Sequence, residues 1–129
     1  MRWLTLDQVV RIHDIVLDLT PGARGVRERT LVASALQHPL TKIFGQEMFP
    51  GVPLKAAVLM EGLIQSHPFV DGNKRTAVVA ACTVLELNGC RLDAPQDEVE
   101  GMAIRVATHA IGRDGLNQWI ISRTRADAQ

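Results

Sequence analysis

The sequence predicts an all-α protein, a compact single-domain helical bundle of about six helices broken by one short irregular flap. Two observations lead there. Apolar residues recur at helical spacing along most of the 129 residues, and capping residues, prolines or glycines bracket nearly every periodic stretch. No repeat, linker or low-complexity segment divides the chain, so residues 1–129 are read as one domain.

Each element has its own warrant. Thr5, followed three residues later by Gln8, forms a capping box ahead of Val9, Val10, Ile12, His13, Val16 and Leu17. That first helix should stop near Thr20, before Pro21-Gly22, and residues 21–28 form a loop. A second helix runs from about Glu28 to Gln37 and ends at His38-Pro39, because a residue before proline avoids the α region. Residues 38–52 lack a clean period and hold two of the three phenylalanines, which marks the flap. Pro53 opens a third helix that continues to about Ser66. Residues 75–89 follow, apolar nearly all round from Ala77 to Leu87, so this fourth helix is expected to be the central one. Asp93 is expected to cap a fifth helix reaching about Ile111, and a sixth begins near Asp114. The tail RTRADAQ reads as frayed and polar.

Bulk properties narrow the function. Lys plus Arg and Asp plus Glu number 14 each, so no global field steers the protein to nucleic acid or an anionic membrane. Direct DNA binding and membrane association are not expected. Two cysteines, Cys82 and Cys90, give neither a disulfide framework nor a CxxC metal spacing. Without a signal peptide or a long apolar segment, a cytoplasmic location is expected.

One stretch departs from ordinary core or surface: HPFVDGNKRTA, residues 67–77. Its second half opens the fourth helix, where free amides and the helix dipole favour an anion. Gly72 allows close backbone approach, Asn73 adds an amide, and Lys74 and Arg75 add positive charge. Together they suit phosphate. Asp71 is a candidate Mg²⁺ ligand, since that ion commonly takes one or two carboxylates plus substrate phosphates. His67 is a candidate general base, and the reaction suggested is attack of a hydroxyl on a phosphate. Simpler readings stay open on these residues alone. His67 could cap the third helix, Asp71 could pair with Arg75, and Phe69 fits a core anchor. A zinc site lacks a third ligand, and a P-loop lacks its first glycine. His13 reads as packed or hydrogen-bonded, His38 as a neighbour of the flap, and His109 as favourable to a helix C-terminus.

The order His67-Pro68-Phe69-Val70-Asp71-Gly72-Asn73-Lys74-Arg75 resembles the signature loop of the Fic/Doc superfamily. Residues 25–39, 55–77 and 86–89 are also similar to its death-on-curing branch, toxins of bacterial toxin–antitoxin pairs. Lys74 and Val78 stand where the Fic branch carries a glycine and a second arginine. The resemblance implies a helical bundle with this loop between two central helices. It implies His67 as catalytic base and Asp71 as metal ligand. It further implies that Asn73, Lys74 and Arg75 serve catalysis and, with Gly72, form the phosphate-binding loop. ATP and Mg²⁺ are the implied cofactors. The implied reaction is transfer of the γ-phosphate to a threonine of elongation factor Tu, which arrests translation. The implied partner is a Phd-like antitoxin whose C-terminal segment covers the site. No internal inhibitory S/TxxxE[G/N] helix is evident. Transfer of AMP in the Fic manner, or a non-catalytic helical binding module, are the competing readings.

Overall fold

A computed structural model describes residues 1–127. Within it the chain forms six α-helices: α1 Leu6–Leu19, α2 Arg29–Gln37, α3 Val52–Ser66, α4 Asn73–Leu87, α5 Gln96–Ala107 and α6 Arg113–Arg123. Two short antiparallel pairs accompany them, β1 Lys42–Ile43 with β2 Gln46–Glu47, and β3 Cys90–Leu92 with β4 Thr124–Ala126. No helix among the described residues is long and apolar enough to cross a membrane.

The expected capping box is present, with the Thr5 hydroxyl accepting from the Gln8 amide and the Gln8 side chain accepting from the Thr5 amide. One face of α1 is buried through Val9, His13, Val16 and Leu17. At the centre stands α3 rather than α4. It packs on α2, α4, α5 and α6, and eight of its residues from Lys55 to Ile64 are buried. Helix α4 packs most extensively against α3 and buries Ala77, Ala80, Ala81, Val84 and Leu85. Small residues at this spacing let two helix backbones approach closely. Its other side is less enclosed than the sequence implied, for Val79 is exposed and Val78 only half-buried.

The flap is a hairpin. Phe44 (φ 50°) and Gly45 (φ 78°) both adopt positive φ, as a two-residue I′ turn requires. Phe44 occupies the position normally given to Asn or Asp, so the usual turn signal was absent from the sequence. Below the turn, Phe49 is buried beside the His38 ring edge and beneath the Arg113 guanidinium. Lys55, itself buried, donates to the Phe49 carbonyl and lies 2.9 Å from a Glu47 carboxylate oxygen. That lysine fastens the hairpin to α3. Its hydrogen bond, and next its charge, hold the Glu47 carboxyl below the ordinary range.

Three boundaries differ from expectation. Helix α4 begins at Asn73, so Asn73, Lys74 and Arg75 belong to its first turn. Asp93 does not cap α5, because its amide donates to the Arg123 carbonyl and continues the β3–β4 pairing; Pro95 stands at the N-cap instead. Helix α5 also ends earlier, at Ala107. His109 is left-handed there (φ 59°), its amide bonding to Val106 and that of Ala110 to Arg105, as in a Schellman motif. The tail expected to fray pairs instead with β3 through residues 124–126, and Asp127 bonds to Gly89. Residues 128 and 129 lie outside the described segment.

Candidate active site

Residues 67–75 bridge α3 and α4, and four separate parts of the chain hold them. His67 ends α3 in the left-handed region (φ 50°, ψ 59°). Arg27 closes that end, donating through Nε to the His67 carbonyl at 2.7 Å and through Nη2 to the Ser66 carbonyl at 2.8 Å. Cations are favoured on such carbonyls by geometry and by the helix dipole. The segment before α2 then runs antiparallel to the loop. Arg27 and Glu28 amides donate to the Pro68 carbonyl, Val70 donates to the Gly25 carbonyl, and Val26 pairs with Phe69. Phe69 is buried, as expected of a core anchor.

Asn73 locks the loop from the other side. Its side-chain oxygen accepts from the Phe69 amide and its nitrogen donates to the Phe69 carbonyl, each at 3.0 Å. The same nitrogen lies 3.4 Å from His67 Nδ1, a long contact that orients the imidazole. Asn73 is buried, with its side chain committed to the Phe69 backbone.

Asp71 is exposed and does not pair with Arg75. Its Oδ1 accepts from the Gly72 amide at 2.9 Å and its Oδ2 from the Ala23 amide at 3.3 Å. A carboxylate offers about four lone-pair positions, so these two bonds orient it and leave others for a cation. Gly72 caps α4 in the left-handed region (φ 78°, ψ 18°), and no side chain caps the helix. No described residue accepts from the amides of Asn73, Lys74 or Arg75. Lys74 and Arg75 are exposed, and neither forms an ion pair with a described carboxylate. Positive charge is thus concentrated and unneutralised at the start of a 15-residue helix.

These groups share one cleft of about 360 Å³, lined by Thr20, Pro21, His67 and residues 70–75. All six residues singled out from the sequence, His67, Asp71, Gly72, Asn73, Lys74 and Arg75, therefore lie together. A longer groove of about 520 Å³ adjoins it across Lys74 and Arg75, lined by apolar residues of α1, α4 and α5 such as Leu19, Val78 and Ile104. No described group of three His, Cys, Asp or Glu side chains could hold a metal by itself. Asp71 fits Mg²⁺ only in company with phosphate oxygens and water, the arrangement that ion favours. Sequence reading passed over Arg27. Nothing near it in sequence announces a bond to a carbonyl 40 residues away.

A helical bundle thus gathers an imidazole, a carboxylate, two cations without a partner among the described carboxylates, and uncapped helix amides in one cleft, a donor set suited to an anion. Comparison with known proteins gives the lineage. The profile described as Fic/DOC family matches residues 3–85, and the chain belongs to that family. It is also similar to Toxin Doc of Mycolicibacterium smegmatis (strain ATCC 700084 / mc(2)155), 37% identical over 97 residues that span 74% of this chain and 75% of that protein.

Proposed function

We propose that the protein is the toxin of a bacterial toxin–antitoxin pair. In this reading it is a protein kinase that moves the γ-phosphate of ATP to a Ser or Thr hydroxyl of a translation factor such as elongation factor Tu, in the cytoplasm. Family membership and the likeness to a protein named Toxin Doc support the toxin reading. The observation that carries the chemistry is the convergence of His67 and Asp71 on the uncapped amides of α4 within one cleft.

The residues divide the work as follows. His67 takes the proton of the attacking hydroxyl as that oxygen bonds to the γ-phosphorus. The bond from phosphorus to the bridging oxygen breaks, and ADP leaves. Lys74, Arg75 and the amides of residues 73–75 meet the charge on the non-bridging oxygens, and Asn73 keeps the imidazole aimed. Mg²⁺, held by Asp71, would supply charge neutralisation on the phosphates. Transfer of AMP is the second reading. Val78 weighs against it, since it lies in the apolar groove at the place where AMP-transferring relatives carry a second arginine. The groove also supports a partner. An antitoxin segment with an apolar face lying along it would reach Lys74 and Arg75 and cover the cleft.

Incubation of the purified protein with translation factors and labelled ATP tests the reaction. Label should move from the γ position and not from the α position. His67→Ala should lower the rate by about 100- to 10,000-fold and relieve growth arrest on expression. Undiminished toxicity in that variant would refute the mechanism.

A further inference from the structure

We infer that His13, on α1, is a positioning residue that sets the orientation of the Asp71–Gly72 peptide. The imidazole is buried at 2% exposure and stacks on Phe69, with ring centroids 3.9 Å apart and planes 8° from parallel. Its Nε2 lies 2.8 Å from the Asp71 carbonyl oxygen. A carbonyl only accepts, so Nε2 carries the proton and donates.

The consequence follows from the geometry of a trans peptide, in which C=O and N–H point in opposite directions. With the Asp71 carbonyl held inward by His13, the Gly72 N–H is turned the other way, where it meets Asp71 Oδ1 at 2.9 Å. Gly72 has no side chain to resist rotation of that peptide. Rotation would place a carbonyl oxygen, with its partial negative charge, in the mouth of an anion cleft. It would also break the Gly72 bond to Asp71 Oδ1, leaving the Ala23 amide alone to hold that carboxylate. His13 opposes both changes from 58 residues away in sequence. Leu17, one helical turn further along α1, fills the place a Cβ on Gly72 would take, so α1 acts as the backstop of the loop.

The assignment rests on the reading of residues 72–75 as a phosphate cradle, and the test separates the two. His13→Leu keeps apolar bulk and removes the donor. His13→Gln restores an amide N–H but not the aromatic stack. Hydrogen exchange in the unliganded full-length protein should be about tenfold faster at the Gly72 amide in His13→Leu, relative to amides of α3. His13→Gln should stay within about threefold of the unsubstituted protein. Titration with Mg²⁺–ATP should show the same order, about tenfold weaker binding for Leu and near-normal binding for Gln. Equal behaviour of the two variants, or normal exchange in His13→Leu, would overturn the assignment.

A measurement on the unsubstituted protein guards against variants that do not fold. Long-range ¹H–¹⁵N NMR should find His13 as the Nε2–H tautomer with a slowly exchanging ring proton. The Nδ1–H tautomer would overturn the assignment. If the unsubstituted protein bound no nucleotide, the kinase reading would fall, while exchange and tautomer would still decide the part played by His13.

Discussion

Gly72 shows how much one residue can be constrained. Its φ of +78° lies where side chains are strained, and a Cβ there would sit 2.7 Å from Leu17 Cδ2. Gly72→Ala should therefore destabilise the fold by about 1–3 kcal/mol, read from urea midpoints, and weaken nucleotide binding together with it. This residue and its neighbours His67, Asp71 and Asn73 were legible in the sequence, because their grouping is local and chemically unusual. His13 was legible as a packed or hydrogen-bonded residue but its partner was not, and Arg27 was not legible at all. His13 acts through one bond to a backbone carbonyl 58 residues distant and Arg27 through two, 40 and 39 residues distant, and such bonds leave no trace in local spacing. Cys82, by contrast, has no visible chemistry. Burial, aided by the nearby charge of Glu86, pushes its thiol up to about 11, which keeps it protonated near neutral pH.

Elements were readable where periodicity and caps agreed, as for α1 and α3, and less so where a tertiary bond took over a local signal. Asp93 looks like a helix cap, yet its amide is committed to the strand pairing, and Pro95 is the N-cap instead. The hairpin hid because its turn uses Phe44-Gly45. Contacts between elements also set a pH dependence. Glu98 of α5 accepts from the Trp119 indole at 2.8 Å and is gripped by Arg123, both on α6. Those bonds hold its carboxyl below the ordinary range, the Trp119 bond contributing most and Arg123 next. A depressed folded-state value stabilises the protein above the unfolded carboxyl range and loses that contribution as pH falls through the depressed value. Glu98→Gln should therefore flatten the acid limb of the stability curve. Urea midpoints compared at about pH 7 and about pH 3 should differ less for the variant than for the unsubstituted protein.

At the scale of the molecule, the two ends of the bundle are built differently. At one end β3 and β4 clamp α4 to the end of α6, with Cys90, Arg91 and Leu92 opposite Ala126, Arg125 and Thr124. Truncation after Arg123 removes that clamp and should cost about 1–3 kcal/mol, several degrees in melting temperature. None of the residues lining the cleft belongs to that clamp, so nucleotide affinity below the melting transition should be retained, measurable by calorimetry. The all-α class and the single bundle were legible because apolar periodicity records which face is buried. The hub was not, because α3 and α4 are both rich in apolar residues and only packing shows which is surrounded.

Anchoring of the 67–75 loop by α1, by the strand-like run before α2 and by the ends of α3 and α4 has a genetic consequence. The stretch of gene that must stay intact for the cleft to keep its shape extends from the codon of His13 to that of Arg75. Chance changes at Leu17, Gly25 or Arg27 reach the loop as directly as changes within it. Substitutions that disturb the cleft can therefore arise well outside the codons of the loop itself.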